Sequence, residues 1–172
     1  MHQYTLEQVN QLSLAEFVDI FGAIFEDTPN IAADTWNHRP FRSLKILHQV
    51  MCRIVDSRDR TCQIQLLRSH PDLGSKFKMA PTSVQEQASL GLDRLTEAEF
   101  NRLQDLNQAY QDRFGFPFIV AVRDYKTKTD LLQVFEARTL NTPEQEYKTA
   151  LAEVAQIAWY RLTDITTESQ LP

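Results

Sequence analysis

The sequence has few of the residues on which the best-known cofactor and metal motifs depend. Its four glycines, among 172 residues, are too widely spaced to form a phosphate-binding loop or a dinucleotide-binding fingerprint. The four histidines include no HExxH pair, and the two cysteines, Cys52 and Cys62, form no CxxC pattern. We therefore expect no cofactor and no metal, and any catalysis must come from acid–base and hydrogen-bonding side chains.

Basic charge and long apolar segments are also scarce. The 18 Lys and Arg residues against 23 Asp and Glu residues give a net charge of −5, whereas a nucleic-acid-binding protein normally carries a basic excess. The longest apolar run, residues 116–122, has seven residues, far fewer than the roughly 20 that cross a bilayer. We predict no nucleic-acid partner and no membrane partner.

The first residues and the cysteines suggest the compartment. The N-terminal residues have neither the basic region nor the apolar region of a signal peptide. Cys52 and Cys62 are most simply interpreted as reduced, partly buried thiols of a cytosolic protein. A cytoplasmic location is therefore expected.

Helical periodicity dominates the chain. Residues that can cap a helix precede apolar residues spaced by three and four at Ser13, Ser43, Asp59, Thr96 and Thr142. No repeat, linker or charge block divides the chain, and its length is that of about one domain on a prior of roughly 150 residues. The sequence predicts an all-α fold, a single domain over residues 1–172 built as a multi-helix bundle.

Two of the predicted helices have features that can be placed more closely. The helix after Ser13 keeps its apolar stripe as far as Phe25. The helix after Asp59 is predicted to end at His70, because Pro71 disfavours helix in the residue before it.

One segment does not fit the helical pattern. Gly115 is predicted to end the helix that begins after Thr96, and the apolar residues 116–122 follow it. Pro117 disfavours a regular central strand. We predict a short, buried, extended or irregular segment near residues 116–122.

His70 is the first candidate for chemistry. It stands before Pro71 at the predicted C-terminal end of a helix, where the helix dipole favours a protonated imidazole. The ordinary histidine pKa of about 6.5 suits a proton shuttle at neutral pH. The alternative is a structural histidine that bonds to the carbonyls of the helix end, and position alone favours that alternative.

Ser83, Glu86 and Gln87 form a second candidate group. Their spacing places a hydroxyl, a carboxylate and a carboxamide on one face over one helical turn, at a predicted helix start. Such a group could bind an anionic, amide-rich small molecule. Ser83 and Glu86 also have the spacing of a capping box, and a box of Thr82 with Gln85 would leave Glu86 available. The residues alone favour the structural interpretation.

Two arginines are candidates for binding a carboxylate. Arg161 lies near the end of the last predicted helix, and Arg138 follows Phe135. A guanidinium group binds carboxylates through two parallel hydrogen bonds, but an arginine in a last helical turn usually compensates the helix dipole. The residues leave the choice between Arg161 and Arg138 open.

Taken in order, these segments resemble the OHCU decarboxylases, where OHCU is 2-oxo-4-hydroxy-4-carboxy-5-ureidoimidazoline. Each motif is weak by itself, but their order and separations are specific, and the resemblance covers nearly the whole chain. The motifs are His70-Pro71-Asp72-Leu73, Ser83-Val84-Gln85-Glu86-Gln87 with Gly91-Leu92, Asn107-Gln108-Ala109-Tyr110 and Phe114-Gly115-Phe116-Pro117-Phe118-Ile119.

The resemblance implies an all-α, cofactor-free and often dimeric carboxy-lyase, which converts OHCU to (S)-allantoin and CO2 in urate breakdown. It implies that His70 and Glu86 are catalytic. It also implies substrate binding, by side chains or, after the FGFPF motif, by main-chain groups, at Pro71, Ser83, Gln87, Phe118, Ile119, Val120, Ala121, Val122 and Arg161.

Two other functions remain as alternatives. A hydrolase of a related ureide could use His70 and Glu86 to activate water. A helical interaction module without catalysis could contain the same residues as plain helix ends. A small-molecule ureide substrate, with a homodimer as a possible assembly, is the expectation from the resemblance.

Overall fold

The structure is a computed structural model, and it describes residues 3–74, 88, 91–92 and 94–168. These residues divide into two compact units. The residues up to Leu66 and from Ala155 onward form the first unit, and those from Leu67 to Val154 form the second. The prediction of a single domain stays a prediction.

The first unit is helical, with one short pair of strands. Strand β1 (Tyr4–Thr5) pairs in parallel with β2 (Thr166–Thr167), with Tyr4 opposite Thr166. The helices that begin in this unit are α1 (Leu6–Gln11), α2 (Leu14–Phe21), α3 (Pro29–Trp36), α4 (Leu44–Ser57) and α5 (Arg60–Arg68). Its core includes Phe17, whose ring centroid lies 4.6 Å from that of Phe21 and 6.3 Å from that of Phe41.

The second unit is built around aromatic residues. It contains α6 (Glu97–Phe114), a 3-10 helix (Val122–Asp124), α7 (Lys128–Arg138) and most of α8 (Pro143–Ile165). The rings of Phe118 and Phe135 stack with centroids 3.8 Å apart, and Tyr110 meets both edge-on. The expected all-α class is confirmed, because the described residues form eight α-helices and one minimal sheet.

Five helix starts predicted from capping residues are confirmed, and the start predicted near Ser83 lies outside the described residues. Backbone N–H groups of the first turn donate to the side chains of the five caps, which are Ser13, Ser43, Asp59, Thr96 and Thr142. In the box at Thr96 the Glu99 carboxylate accepts in return from the Thr96 backbone N–H, and this bond is the main reason that the pKa of Glu99 falls to about 2. Gly115 ends α6 with φ 78°, as predicted.

Two helix ends differ from the predictions. Helix α2 ends at Phe21, and the buried residues Ile24 and Phe25 lie in the turn that follows, so the apolar stripe continues without the helix. Helix α5 ends at Arg68, two residues before the predicted end at His70. Pro71 has no N–H to bond the Leu67 carbonyl, which accepts instead from the His70 N–H at 3.3 Å and closes a tighter turn.

The segment of residues 116–122 is buried throughout, and residues 116–121 form neither helix nor strand. The prediction of a buried, irregular apolar segment is confirmed. Phe118 of this segment stacks on Phe135 of α7 in the core of the second unit.

Both cysteines are free thiols, as the sequence predicts. Cys52 is partly buried, as expected, and burial raises its pKa to about 11. The expectation of a partly buried thiol is wrong for Cys62, which is exposed. Within the described ranges no group of three or more His, Cys, Asp or Glu residues could hold a metal ion. No helix in those ranges is long and apolar enough to cross a membrane.

Candidate active site

His70 lies on a loop that side chains of α6 hold in place. Asn107 Nδ2 donates to the Leu73 carbonyl at 2.8 Å, and Gln111 Nε2 donates to Asp72 Oδ1 at 2.5 Å. Positions 107 and 111 are four residues apart, so both side chains project from the same face of α6. The loop that carries the imidazole is therefore fixed at two successive residues.

The end of this loop also fits closely onto α6. Gly74 has φ 72°, and a Cβ at this position would collide with the Leu103 side chain, so the turn requires glycine. His70 is 7% exposed, and Pro71 is partly exposed. A buried imidazole on a loop restrained in this way keeps a defined orientation.

The segment of residues 118–122 is the second part of the predicted site in this unit. Its five side chains are buried, none more than 7% exposed. Arg138 Nη1 donates to the Ile119 carbonyl at 2.9 Å, and the Ala121 N–H donates to Glu153 Oε2 at 2.8 Å. Charged side chains of α7 and α8 thus take the place of the backbone partners that a sheet would supply.

Arg138 belongs to a buried network. Its Nε and Nη2 donate to Glu146 Oε1 at 2.9 and 2.5 Å, and Glu146 is 0% exposed. The other Glu146 oxygen accepts from Asn141 Nδ2 at 2.7 Å. The Tyr110 hydroxyl also donates to Glu146, and burial raises the pKa of that hydroxyl far above its usual range, which keeps it protonated. Every nitrogen of the Arg138 guanidinium group therefore binds a protein group.

Arg161 lies in α8, within the first unit, and is 4% exposed. Its Nη1 lies 2.8 Å from Glu26 Oε2, and 3.3 and 3.5 Å from the carbonyl oxygens of Ala23 and Ile24. Glu26 is also 4% exposed, and its φ of 55° is unusual for a residue with a side chain. A buried ion pair and two carbonyls thus hold the Arg161 guanidinium group.

The remaining predicted residues cannot be placed beside these. Ser83, Glu86 and Gln87 lie outside the described residues, so both interpretations of Glu86, as an acid or as a helix cap, stay predictions. His70, Pro71 and residues 118–122 lie in the second unit, and Arg161 lies in the first.

Comparison of the chain with models of known protein families identifies its family. The model of the OHCU decarboxylase family matches residues 10–163. The chain belongs to the OHCU decarboxylase family. Its resemblance to that family, first seen in short motifs, is confirmed over nearly its full length.

Named members of the OHCU decarboxylase family are close in sequence. The chain is 43% identical to the 2-oxo-4-hydroxy-4-carboxy-5-ureidoimidazoline decarboxylase of Halalkalicoccus jeotgali, over 96% of this chain and 94% of the relative. It is also 43% identical to the uric acid degradation bifunctional protein PucL of Bacillus subtilis, over 96% of this chain and 33% of that protein.

A solved structure is similar as well. The crystal structure of an (S)-allantoin synthase matches with a TM-score of 0.77 and 32% sequence identity. The match covers 94% of this chain and 53% of that one. The helical arrangement of the chain is therefore shared with a solved protein.

Several residues that hold parts of the candidate site are missed by the sequence interpretation. The spacing of Asn107 and Gln111 on a predicted helix is a usable signal for a shared face. Glu26 and Glu153 give none, because a single carboxylate in a helical sequence is normally a solvated residue. Only their contacts show that they hold an arginine and a backbone N–H.

Proposed function

We propose that this chain decarboxylates OHCU to (S)-allantoin and CO2, as a cofactor-independent carboxy-lyase of urate breakdown. The observation that carries the proposal is the match to the OHCU decarboxylase family over residues 10–163. The relative that is 43% identical over 94% of its own length bears the name of this decarboxylase. The similar solved structure is that of an (S)-allantoin synthase, and (S)-allantoin is the product proposed here.

The substrate itself can accept the electrons that decarboxylation releases. The bond between the ring carbon and the carboxylate breaks, and CO2 leaves. The electron pair forms a C=C bond to the neighbouring ring carbon, and the π electrons of the C=N bond pass to the ring nitrogen, which takes up a proton. Because the neighbouring carbon also gains a proton and the hydroxyl loses one, the net uptake is one proton. The hydroxyl on the same carbon loses its proton to become the carbonyl of the product, and proton delivery to one face of the neighbouring carbon sets the S configuration.

His70 is the proposed proton shuttle for the substrate hydroxyl, and Glu86 is the proposed group that holds or polarises that hydroxyl. The support for His70 is its burial on a loop that Asn107 and Gln111 restrain. General acid–base catalysis by a positioned group contributes roughly 10²–10⁴-fold to a rate. Ser83 and Gln87 are proposed to bind the ureido amides, and Pro71 is proposed to contact the substrate.

Arg161 is the proposed ligand of the substrate carboxylate. The resemblance supports this choice, because it implies a substrate-binding arginine in the last helix. Arg138, the other candidate, donates from Nε, Nη1 and Nη2 to Glu146 and the Ile119 carbonyl. The pairing of Arg161 with Glu26 fixes the guanidinium group before substrate arrives, which lowers the entropy lost on binding. Main-chain groups of residues 118–122 are also proposed to bind the substrate.

The enzyme is also proposed to be a cytoplasmic homodimer. A cytoplasmic location and a homodimer accord with the family resemblance. Light scattering on the purified chain measures its mass in solution. A mass near twice the 20.0 kDa of one chain is expected, and a mass near 20.0 kDa would contradict the homodimer.

Product analysis tests the reaction. OHCU is added to the purified protein, the released gas is trapped as CO2, and the handedness of the product is followed by circular dichroism. We expect CO2 and (S)-allantoin to form faster than in buffer without protein. A mixture without optical activity, formed at the rate of the buffer control, would overturn the proposal.

The same samples distinguish the two alternatives. Release of ammonia or urea in place of CO2 would identify a hydrolase of a ureide. An interaction module would give no product above the buffer control, and titration with (S)-allantoin would shift no NMR signal near His70.

A further inference from the structure

Residues 118–122 combine a buried backbone with the absence of regular structure. Each side chain is at most 7% exposed, and no helix or strand contains residues 118–121. Buried N–H and C=O groups of such a segment need partners from elsewhere in the protein. The partners that bind these N–H and C=O groups determine the direction in which each peptide group of the segment faces.

Two side chains of opposite charge bind successive peptide groups of the segment. Arg138 Nη1 donates to the Ile119 carbonyl at 2.9 Å, and Glu153 Oε2 accepts from the Ala121 N–H at 2.8 Å. The two side chains also attract each other, since Arg138 Nη1 lies 3.8 Å from Glu153 Oε1. We call Arg138 and Glu153 the backbone brace.

The geometry of the peptide bond carries this effect to Val120. In a planar trans peptide the C=O and the N–H point in opposite directions. The Ile119 carbonyl faces Arg138, so the N–H of Val120 in the same peptide group points away from Arg138. The Ala121 N–H faces Glu153, so the carbonyl of Val120 points away from Glu153.

We propose that Arg138 and Glu153 are positioning residues, which hold the Val120 N–H and C=O as a donor and acceptor for the amide groups of the ureide substrate. This inference rests on the proposed function, in which residues 118–122 bind substrate through the main chain. A ureido group carries both N–H donors and a C=O acceptor, so it matches a backbone residue with both groups in fixed directions.

The two halves of the brace are anchored to different degrees. Arg138 is 7% exposed, pairs with the fully buried Glu146, and lies with its guanidinium carbon 4.5 Å from the centroid of the Phe118 ring. Removal of Arg138 would leave Glu146 as an unpaired buried charge, which endangers the fold itself. The Glu153 side chain is 22% exposed, so its substitution tests positioning with less risk.

The test compares Glu153→Ala with Glu153→Gln. The Gln side chain retains an oxygen that can accept from the Ala121 N–H, whereas Ala has none. We expect Glu153→Ala to lower kcat/KM for OHCU about 10- to 100-fold, because a small misplacement of substrate-positioning groups can reduce a rate by such a factor. Glu153→Gln is expected to stay within about threefold of the wild type, on the same reasoning.

Glu144→Ala is the matched control. Glu144 lies on the same helix α8, its side chain is 55% exposed, and it is 3.6 Å from Lys148. The variant removes one carboxylate, as Glu153→Ala does, and we expect unchanged kinetic constants. A purely structural role of Glu153 would lower the thermal midpoint and leave the kinetic constants of the folded variant unchanged, and that result would overturn the proposal.

A measurement on the wild-type protein avoids any loss of folding. Titration with (S)-allantoin, followed by ¹⁵N NMR, is expected to shift the Val120 amide signal saturably. Saturable shifts elsewhere with none at Val120 would overturn this proposal alone. A wild-type protein that neither forms nor binds (S)-allantoin would overturn the proposed function and, with it, the positioning role of the brace.

Discussion

Arg161 Nη1 lies 2.8 Å from Glu26 Oε2, and each side chain is 4% exposed. The two residues are 135 positions apart in the chain. Two charges that leave water in this way are stable together, because each compensates the desolvation of the other. The pair therefore links the turn after α2 to the last helix within the first unit.

Loss of one partner of this pair should cost much more stability than loss of a surface pair. Glu26→Ala is expected to lower the free energy of unfolding by about 3–5 kcal/mol, because it removes the carboxylate that pairs with the buried Arg161 charge. Asp34→Ala removes the partner of Arg58, in a pair with side chains 23% and 59% exposed, and should cost about 1 kcal/mol or less. Urea unfolding measures the free energy of unfolding of each variant. Equal losses in Glu26→Ala and Asp34→Ala would contradict the account of a buried ion pair.

A lysine at position 161 tests whether the arginine binds the substrate carboxylate. Arg161→Lys keeps the positive charge for Glu26 but loses the planar fork that binds a carboxylate through two hydrogen bonds. We expect KM for OHCU to rise about 10- to 100-fold, since a hydrogen bond to a charged group contributes about 1.5–3 kcal/mol. Arg58→Lys is the control and should leave KM unchanged. An unchanged KM in a folded Arg161→Lys enzyme would remove Arg161 from the site.

The two thiols should differ in reactivity. Burial raises the pKa of Cys52 to about 11, so this residue remains a thiol until the pH rises well above neutral. Cys62 is exposed. Iodoacetamide at pH 8 should therefore alkylate Cys62 in the folded protein and spare Cys52, and Cys62→Ser should abolish the labelling. Mass spectrometry that finds Cys52 modified first would contradict the burial of its sulfur.

Local signals account for the part of the fold that the sequence predicts. Capping residues such as Ser13 and Thr96 act within one helical turn, so a short stretch of sequence suffices to place a helix start. Gly115 acts locally too, through its positive φ. Pro117 explains why the apolar residues after it form no regular strand.

Other features depend on contacts between distant residues. The sequence does not predict helix α7, because one of its three buried positions is Arg138, a polar residue in an apolar stripe. Its burial requires Glu146 on the next helix. Position makes His70 a candidate for chemistry but favours a structural role, and the ordered motifs reverse that preference.

The helix end at His70 shows the limit of a local rule. Pro71 correctly predicts that α5 cannot continue. In a longer helix the N–H of residue 71 would donate to the Leu67 carbonyl, and proline has no N–H, so the effect reaches four residues before Pro71. The helix therefore ends at Arg68 and a tighter turn carries His70. The rule for the residue before proline describes that residue alone, which is why the predicted helix is two residues too long.

Turnover of OHCU by His70→Ala, compared with the wild type, tests the account most directly. We expect a loss of roughly 10²–10⁴-fold in kcat, the usual contribution of a positioned acid–base group, with the helical circular dichroism spectrum preserved. His38→Ala, at an exposed position outside the site, should keep the wild-type kcat. A folded His70→Ala enzyme that forms (S)-allantoin at the wild-type rate would contradict the assignment of His70 as the proton shuttle.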